Sequence, residues 1–233
     1  GTTYIGSRAT VAAAEALRAE VIGLAARVTG APVSALVDGR LVLADGEAVA
    51  TYDEIVVTLD DASLDVEGAF DSETHDDDAQ DFNAAAFAIE VEVDERTGVI
   101  RIVDAFLAAD VGTIINPVSH QGQIDGGFAF GIGAALLEEL VFDDGQVTTV
   151  HLGDYKLPTI LDVPRLRTAY LHAEGRGAFG AKMAGELSVS GVAPAIANAV
   201  ADAIGARVTH LPLSPERVLD AIAAAGSAVA ARG

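Results

Sequence analysis

The sequence predicts an α+β fold, a mixed β-sheet with packed helices, and three observations carry that prediction. In "AIEVEVDERTGVIRIV", Ile89, Val91 and Val93 alternate with Glu90, Glu92 and Asp94, as in a strand with one buried and one wet face. Ala13, Leu17, Val21, Leu24 and Val28 fall on one helical stripe, so periods of two and of 3.6 coexist in one chain. Strands and helices follow one another with no internal repeat and no low-complexity linker, so residues 1–233 read as a single domain.

Taken in order, a helix is expected over Ser7–Gly30, ended by Gly30 and Pro32. "SALVDGRLVLADGEAV" holds two short strands around Asp38-Gly39, a hairpin signal. "TYDEIVVTL" reads as a short helix with Thr51 as N-cap and Glu54 completing a capping box. The acidic run "ETHDDDAQD" (Glu73 to Asp81) reads as a solvated loop, since like charges repel. Two strands follow, joined by the turn at Asp94–Gly98. Asn116-Pro117 then opens a helix carrying Gly122, Gly126, Gly127, Gly131 and Gly133, each costing up to about 1 kcal/mol against Ala. A helix tolerates that where something must approach its backbone closely. "LVFDDGQVTTV" is a second hairpin, and "DYKLPTILDVPRLRTAYLH" a loop leading into a strand. A helix from about Ser188 to Ile204, a short strand and a last helix after "PLSPERV" complete the chain.

Composition excludes several functions. A net charge of −21 opposes binding to nucleic-acid backbones. With no Cys, the chain supplies neither a disulfide nor thiolate ligands for zinc or iron–sulfur centres. The apolar runs are short, so no membrane-spanning helix is expected. "GTTYIG" shows no basic-then-apolar leader, and a cytoplasmic location is the expectation. The five His residues share no motif, so none is read as a metal ligand.

The most particular stretch is "GAKMAGE", Gly180 to Glu186. The chain has only two lysines and one methionine, and Lys182 and Met183 stand side by side here. A Glu at position 186 could simply cap the helix that follows, and Lys182 could pair with Glu186 or another acid. Lys156 in "DYKLP" is expected to hold its loop by charge-assisted hydrogen bonds.

The order of "VEVDERTGVIRIVDAFLAADVGTIINPVSHQGQIDGGFAFGIGAALLEEL", "DYKLPTILDVP", "FGAKMAGE" and "IANAVADAIG…LPLSPERV" resembles the C-terminal, molybdopterin-binding part of the molybdenum hydroxylase large subunit. That family comprises xanthine dehydrogenase, aldehyde oxidase and carbon monoxide dehydrogenase. Its turn G-A-K-G-V-G-E-P matches Lys182, Met183, Ala184, Gly185 and Glu186, with Met183 in place of Gly or Ala and Leu187 in place of Pro. The resemblance implies that Glu186 is the active-site base. The family motif G-Q-x-E/D-G-G matches Gly122, Gln123, Asp125, Gly126 and Gly127, and implies that Gln123 contacts the pterin. The N-terminal "GTTYIGSRAT" is similar to the family's G-T-x-G-S-R-[ST]-T segment, with one extra residue. It implies that Thr3, Gly6, Ser7 and Arg8 hold the pterin and its phosphate at a helix start.

What the resemblance implies is hydroxylation of an N-heterocycle or aldehyde, with water as oxygen source and Glu186 taking a proton. The resemblance also implies that molybdenum is held through the pterin, in its cytosine dinucleotide form, and not by protein ligands. Desolvation in a cramped apolar turn is expected to raise the Glu186 pKa. Implied partners are the remaining portion of the large subunit, an iron–sulfur subunit with 2Fe-2S clusters, an FAD subunit and a small-molecule substrate, without nucleic acid or membrane. Three other readings stay open: carbon monoxide oxidation, a non-catalytic cofactor-domain fragment, and an acidic module whose Asp76–Asp78 loop binds a cation.

Overall fold

A computed structural model describes residues 2–59, 63–71 and 82–230. The acidic run Glu73–Asp81 lies outside the described residues. The chain divides into two compact units, Gly1–Gln80 and Asp81–Gly233, where the lack of a linker composition suggested one.

In the first unit, helix α1 (Thr2–Thr29) starts five residues earlier than expected and ends at Gly30, whose φ of +69° lets the chain turn away. Val21 and Ala25 are buried with Leu41 and Ile55, and Leu17 and Leu24 pack beside them. Strands β1 (Ala35–Val37) and β2 (Arg40–Val42) form the expected hairpin, with positive φ at both Asp38 and Gly39. A third strand, β3 (Ala48–Thr51), pairs with β2. Helix α2 (Tyr52–Val56) begins with the expected capping box between Thr51 and Glu54.

In the second unit, β4 (Ala84–Val93) and β5 (Ile100–Asp110) pair antiparallel, and β5 pairs parallel with β8 (Leu166–Leu171). A bulge between Glu90 and Val91 skips one β5 residue, so Ile102 and Ala105 both face the core. Over this face lie α3 (Pro117–Ile132) and α6 (Val192–Ile204), burying Phe128, Ile132, Val192, Ile196 and Val200. Asn116 caps α3 through the Ser119 N–H. A π-helical turn at Gly133–Leu137 continues α3, and β6 (Phe142–Asp143) with β7 (Gln146–Val147) makes the second hairpin. The short α4 (Leu152–Tyr155), α5 (Leu187–Ser190) and the terminal α7 (Pro215–Ala230) complete the unit.

Three expectations are corrected. The helix expected from Ser188 is broken at Gly191, where a Cβ would lie 2.2 Å from the Phe87 ring. No strand forms between α6 and α7. Leu187–Ile204 also has a mean hydropathy of 1.4 over 18 residues, enough by length and composition to cross a membrane. Here Ser188, Val192, Ile196 and Val200 are buried within the unit, so this stretch serves as core.

Candidate functional site

One end of the β4-β5-β8 sheet gathers the parts of the site. Ala84 pairs with Asp110, and Asp110 with Leu171, so the start of β4 and the ends of β5 and β8 lie together. The chain after β8 returns to this end through Gly180, whose carbonyl accepts from the N–H groups of Thr113 and Gly175. Ala181 bridges Gly112, and Lys182 N–H donates to the Val111 carbonyl. A Cβ on Gly112 would lie 2.4 Å from the Gly180 oxygen, so only glycine fits beneath the turn.

From there each residue of the turn has its own anchor. The Lys182 ammonium donates to Asp110 Oδ2 at 2.8 Å, with both side chains largely buried. The resulting hydrogen bond, helped by the Gly112 N–H, holds the Asp110 carboxyl below the ordinary carboxylate range against its partial desolvation. Asn83 Nδ2 donates to the Met183 carbonyl at 2.7 Å. Ala184 and Leu187 pack on the cluster of Leu107, Ala109, Val111 and Ile124. Gln123 Nε2 donates to the Gly185 carbonyl at 2.7 Å. Ser188 is buried, and its hydroxyl donates to the Gln123 carbonyl at 3.3 Å. The two motifs, about sixty residues apart in sequence, are thus one structure.

Glu186 occupies the N-cap position of α5, yet its side chain makes no capping hydrogen bond. It is exposed, so the apolar enclosure expected around it does not come from this turn. Lys182 is committed to Asp110 and supplies Glu186 with no counter-ion. What the turn presents is a solvent-facing carboxylate on a fixed backbone.

The glycines of α3 and of the π-helical turn after it divide into two groups. A Cβ on Gly127 would lie 2.0 Å from Ser188 Oγ, on Gly131 2.6 Å from Val192 Cβ, and on Gly133 2.0 Å from Glu138 Oε1. These three are packing glycines. Gly122 and Gly126 would meet nothing within 4 Å, and neither would Gly185. Internal packing therefore gives no reason for Gly122 and Gly126, although each weakens the helix. Bare helix backbone beside the Gln123 amide leaves room and hydrogen-bonding groups for a large planar ligand, and these residues fit the pterin. Behind them, Gln121 ties α3 to β8 by accepting from Tyr170 Oη at 2.8 Å and Thr168 Oγ1 at 3.2 Å.

In the first unit, Thr3 lies in the opening turn of α1, whereas Gly6, Ser7 and Arg8 lie inside the helix. The Ser7 hydroxyl donates to the Thr3 carbonyl, and the Arg8 guanidinium stacks 4.4 Å over Phe70. The helix start is therefore not at Ser7, and only the first turn leaves backbone N–H groups unpaired within the helix. Lys156 ends α4 in a left-handed conformation (φ 64°), and no hydrogen bond from its ammonium occurs among the described residues, so the expected loop clamp is absent there. Sequence reasoning missed Asn83 and Asp110, which carry no local motif. Among the described residues, no group of three or more His, Asp and Glu is placed to hold a metal ion.

Comparison with known proteins gives the class. Residues 1–164 match the molybdopterin cofactor-binding domain family, and the chain belongs to it. It is a molybdopterin-binding domain of the molybdenum hydroxylase family. The xanthine dehydrogenase molybdenum-binding subunit of Escherichia coli O157:H7 is 42% identical over 120 residues, covering 50% of this chain and 16% of that protein. The aldehyde oxidoreductase molybdenum-binding subunit PaoC of Escherichia coli K12 is 33% identical over 161 residues, covering 67% and 22%. The crystal structure of quinoline 2-oxidoreductase from Pseudomonas putida 86 superposes with a TM-score of 0.77 at 31% identity, covering 95% of this chain and 30% of that one. The chain thus spans less than a third of the length of these relatives. The family match ends before the Glu186 turn.

Proposed function

We propose that the chain is the C-terminal cofactor-binding part of a molybdenum hydroxylase large subunit that oxidises a carbon of an N-heterocycle or aldehyde. One observation carries this reading: the Gln123–Gly185 hydrogen bond joins the open glycine face of α3 to the turn bearing the solvent-facing Glu186. When bound, in its cytosine dinucleotide form, the molybdenum cofactor supplies the two-electron oxidation and the activation of water as oxygen donor. In the second unit, Gly122, Gln123 and Gly126 would line the face that receives the pterin. Glu186 Oε accepts the proton released by the attacking oxygen, which for a positioned base contributes about 10²–10⁴-fold. Two relatives are named as molybdenum-binding subunits. That supports partner chains or domains, and 2Fe-2S clusters with FAD on them are part of the proposal.

Glu186→Gln in the assembled enzyme tests this. The amide keeps volume and hydrogen bonding but accepts no proton at neutral pH. Molybdenum content is expected to stay unchanged while turnover falls by at least ~10². Near-wild-type kcat in that variant would overturn the assignment of the base.

A further inference from the structure

Glu186 must be aimed, yet its side chain makes no capping hydrogen bond and is tied to nothing among the described residues. The backbone on its N-terminal side shows how the aim is fixed. Two carbonyls of the turn, at Met183 and Gly185, each accept from a side-chain amide at 2.7 Å. The donors come from different places: Asn83 just before β4, and Gln123 on α3. Between the two carbonyls, Ala184 is pressed into the core, and beyond Glu186 so is Leu187. The peptide plane that enters Glu186 is thereby held against α3, and the start of the turn against the residue that precedes β4.

The chemistry of the donors matters as much as their position. A Lys or Arg at either place would also bond a carbonyl, but it would bring a cation beside Glu186 and favour its ionised, ion-paired form. Neutral amides hold the backbone and leave the carboxylate free to gain a proton. The turn's one cation, Lys182, is drawn off to Asp110. Leu187, which stands where the related turn has Pro, leaves φ after Glu186 unrestrained, so backbone fixation falls to these contacts.

We infer that Asn83 and Gln123 are positioning residues that clamp the Glu186 turn through its two carbonyls, with Asn83 acting at a distance from the glycine face. This rests on the proposed role of Glu186 as base. The decisive experiment compares Asn83→Ala, Asn83→Asp, Gln123→Ala and Glu186→Gln in the assembled enzyme, reading amide hydrogen exchange, metal content and kinetics. Asn83→Asp keeps the shape of the residue and so its packing, but sets an oxygen against the Met183 carbonyl. In both Asn83 variants, exchange of the Lys182, Val189 and Ser190 N–H groups, which bond the Val111 and Glu186 carbonyls, should quicken roughly tenfold as the turn loosens, while exchange in β5 stays unchanged. Molybdenum content and KM should hold, and kcat should fall at least ~10-fold, since small misplacements of a reacting group are costly. Gln123→Ala should quicken exchange over the same residues.

Unchanged exchange in the Asn83 variants overturns the clamp, as does quickened exchange with wild-type kcat or with loss of metal. If Glu186→Gln retains full turnover, the base assignment fails, and the positioning role fails with it even where exchange responds. If Glu186→Gln is inactive while the Asn83 variants turn over normally, the base stands and the clamp alone is wrong.

Discussion

Lys182 shows how a single side chain is settled by geometry that no local pattern contains. Its spacing from Glu186 suggests an i,i+4 pair, but the chain between them is an extended turn and not a helix, so the ammonium reaches Asp110 instead. Asp110 lies seventy-two positions away, and only the β4-β5-β8 pairing brings it near. The pair makes a pH-dependent contribution to stability. The Asp110 carboxyl is held below its ordinary value, first by the Lys182 hydrogen bond. Its contribution is therefore complete above the unfolded-state pKa of about 4 and is lost as pH falls through the lower folded-state value. Asp110→Asn should lower the melting temperature by several degrees at pH 7, with the gap to the wild-type protein closing as pH falls toward 3. Melting curves across that range check it, and a gap that stays constant would show that the ion pair contributes nothing.

At the scale of elements, the sequence was most informative where a local rule has only one outcome. The Thr51–Glu54 capping box, the Asp38-Gly39 turn and the alternation of β4 each depend on neighbours within a few residues, and all are present. The break at Gly191 was not legible, because its cause is the Phe87 ring, more than a hundred residues earlier. The strand expected after α6 fails for a similar reason: that segment meets no strand edge, and Leu213 N–H instead bonds the Ala135 carbonyl. In α3 the sequence showed that glycines were needed but not which served packing and which served openness. The structure separates them, and substitution should do the same. Gly127→Ala forces a methyl against Ser188 and should destabilise the fold by about 1–3 kcal/mol in denaturant unfolding. Gly126→Ala meets open space and should stabilise the chain by up to about 1 kcal/mol, while lowering molybdenum retention in the assembled enzyme. Equal metal retention by Gly126→Ala and wild type would argue that the α3 face is not where the pterin rests.

On the scale of the whole molecule, the decisive fact is how little of its relatives this chain represents: its match to the quinoline 2-oxidoreductase structure covers 30% of that protein. Cofactor sites commonly bury roughly 70–90% of a ligand. Here the second unit offers one helix face and one turn. Along α3, Val118, Gly122, Gly126 and Phe130 recur every fourth residue on one open stripe, Val118 being 84% and Phe130 62% exposed. On the loop before β8, Ile160 and Leu161 are 87% and 92% exposed. Apolar side chains left this bare mark surfaces that another protein segment covers, and the unmatched two-thirds of the related proteins is the natural candidate. The chain expressed alone should accordingly retain no stable molybdenum cofactor and show no hydroxylase turnover. Co-expression with the remaining large-subunit portion should bring metal to stoichiometric levels, and adding the electron-carrying partners should bring turnover. Metal analysis of each preparation after gel filtration checks both steps. Stoichiometric molybdenum in the lone chain would mean that Gly122, Gln123, Gly126 and the clamped Glu186 turn hold the cofactor without an opposite wall, and the exposed stripe would then need another occupant.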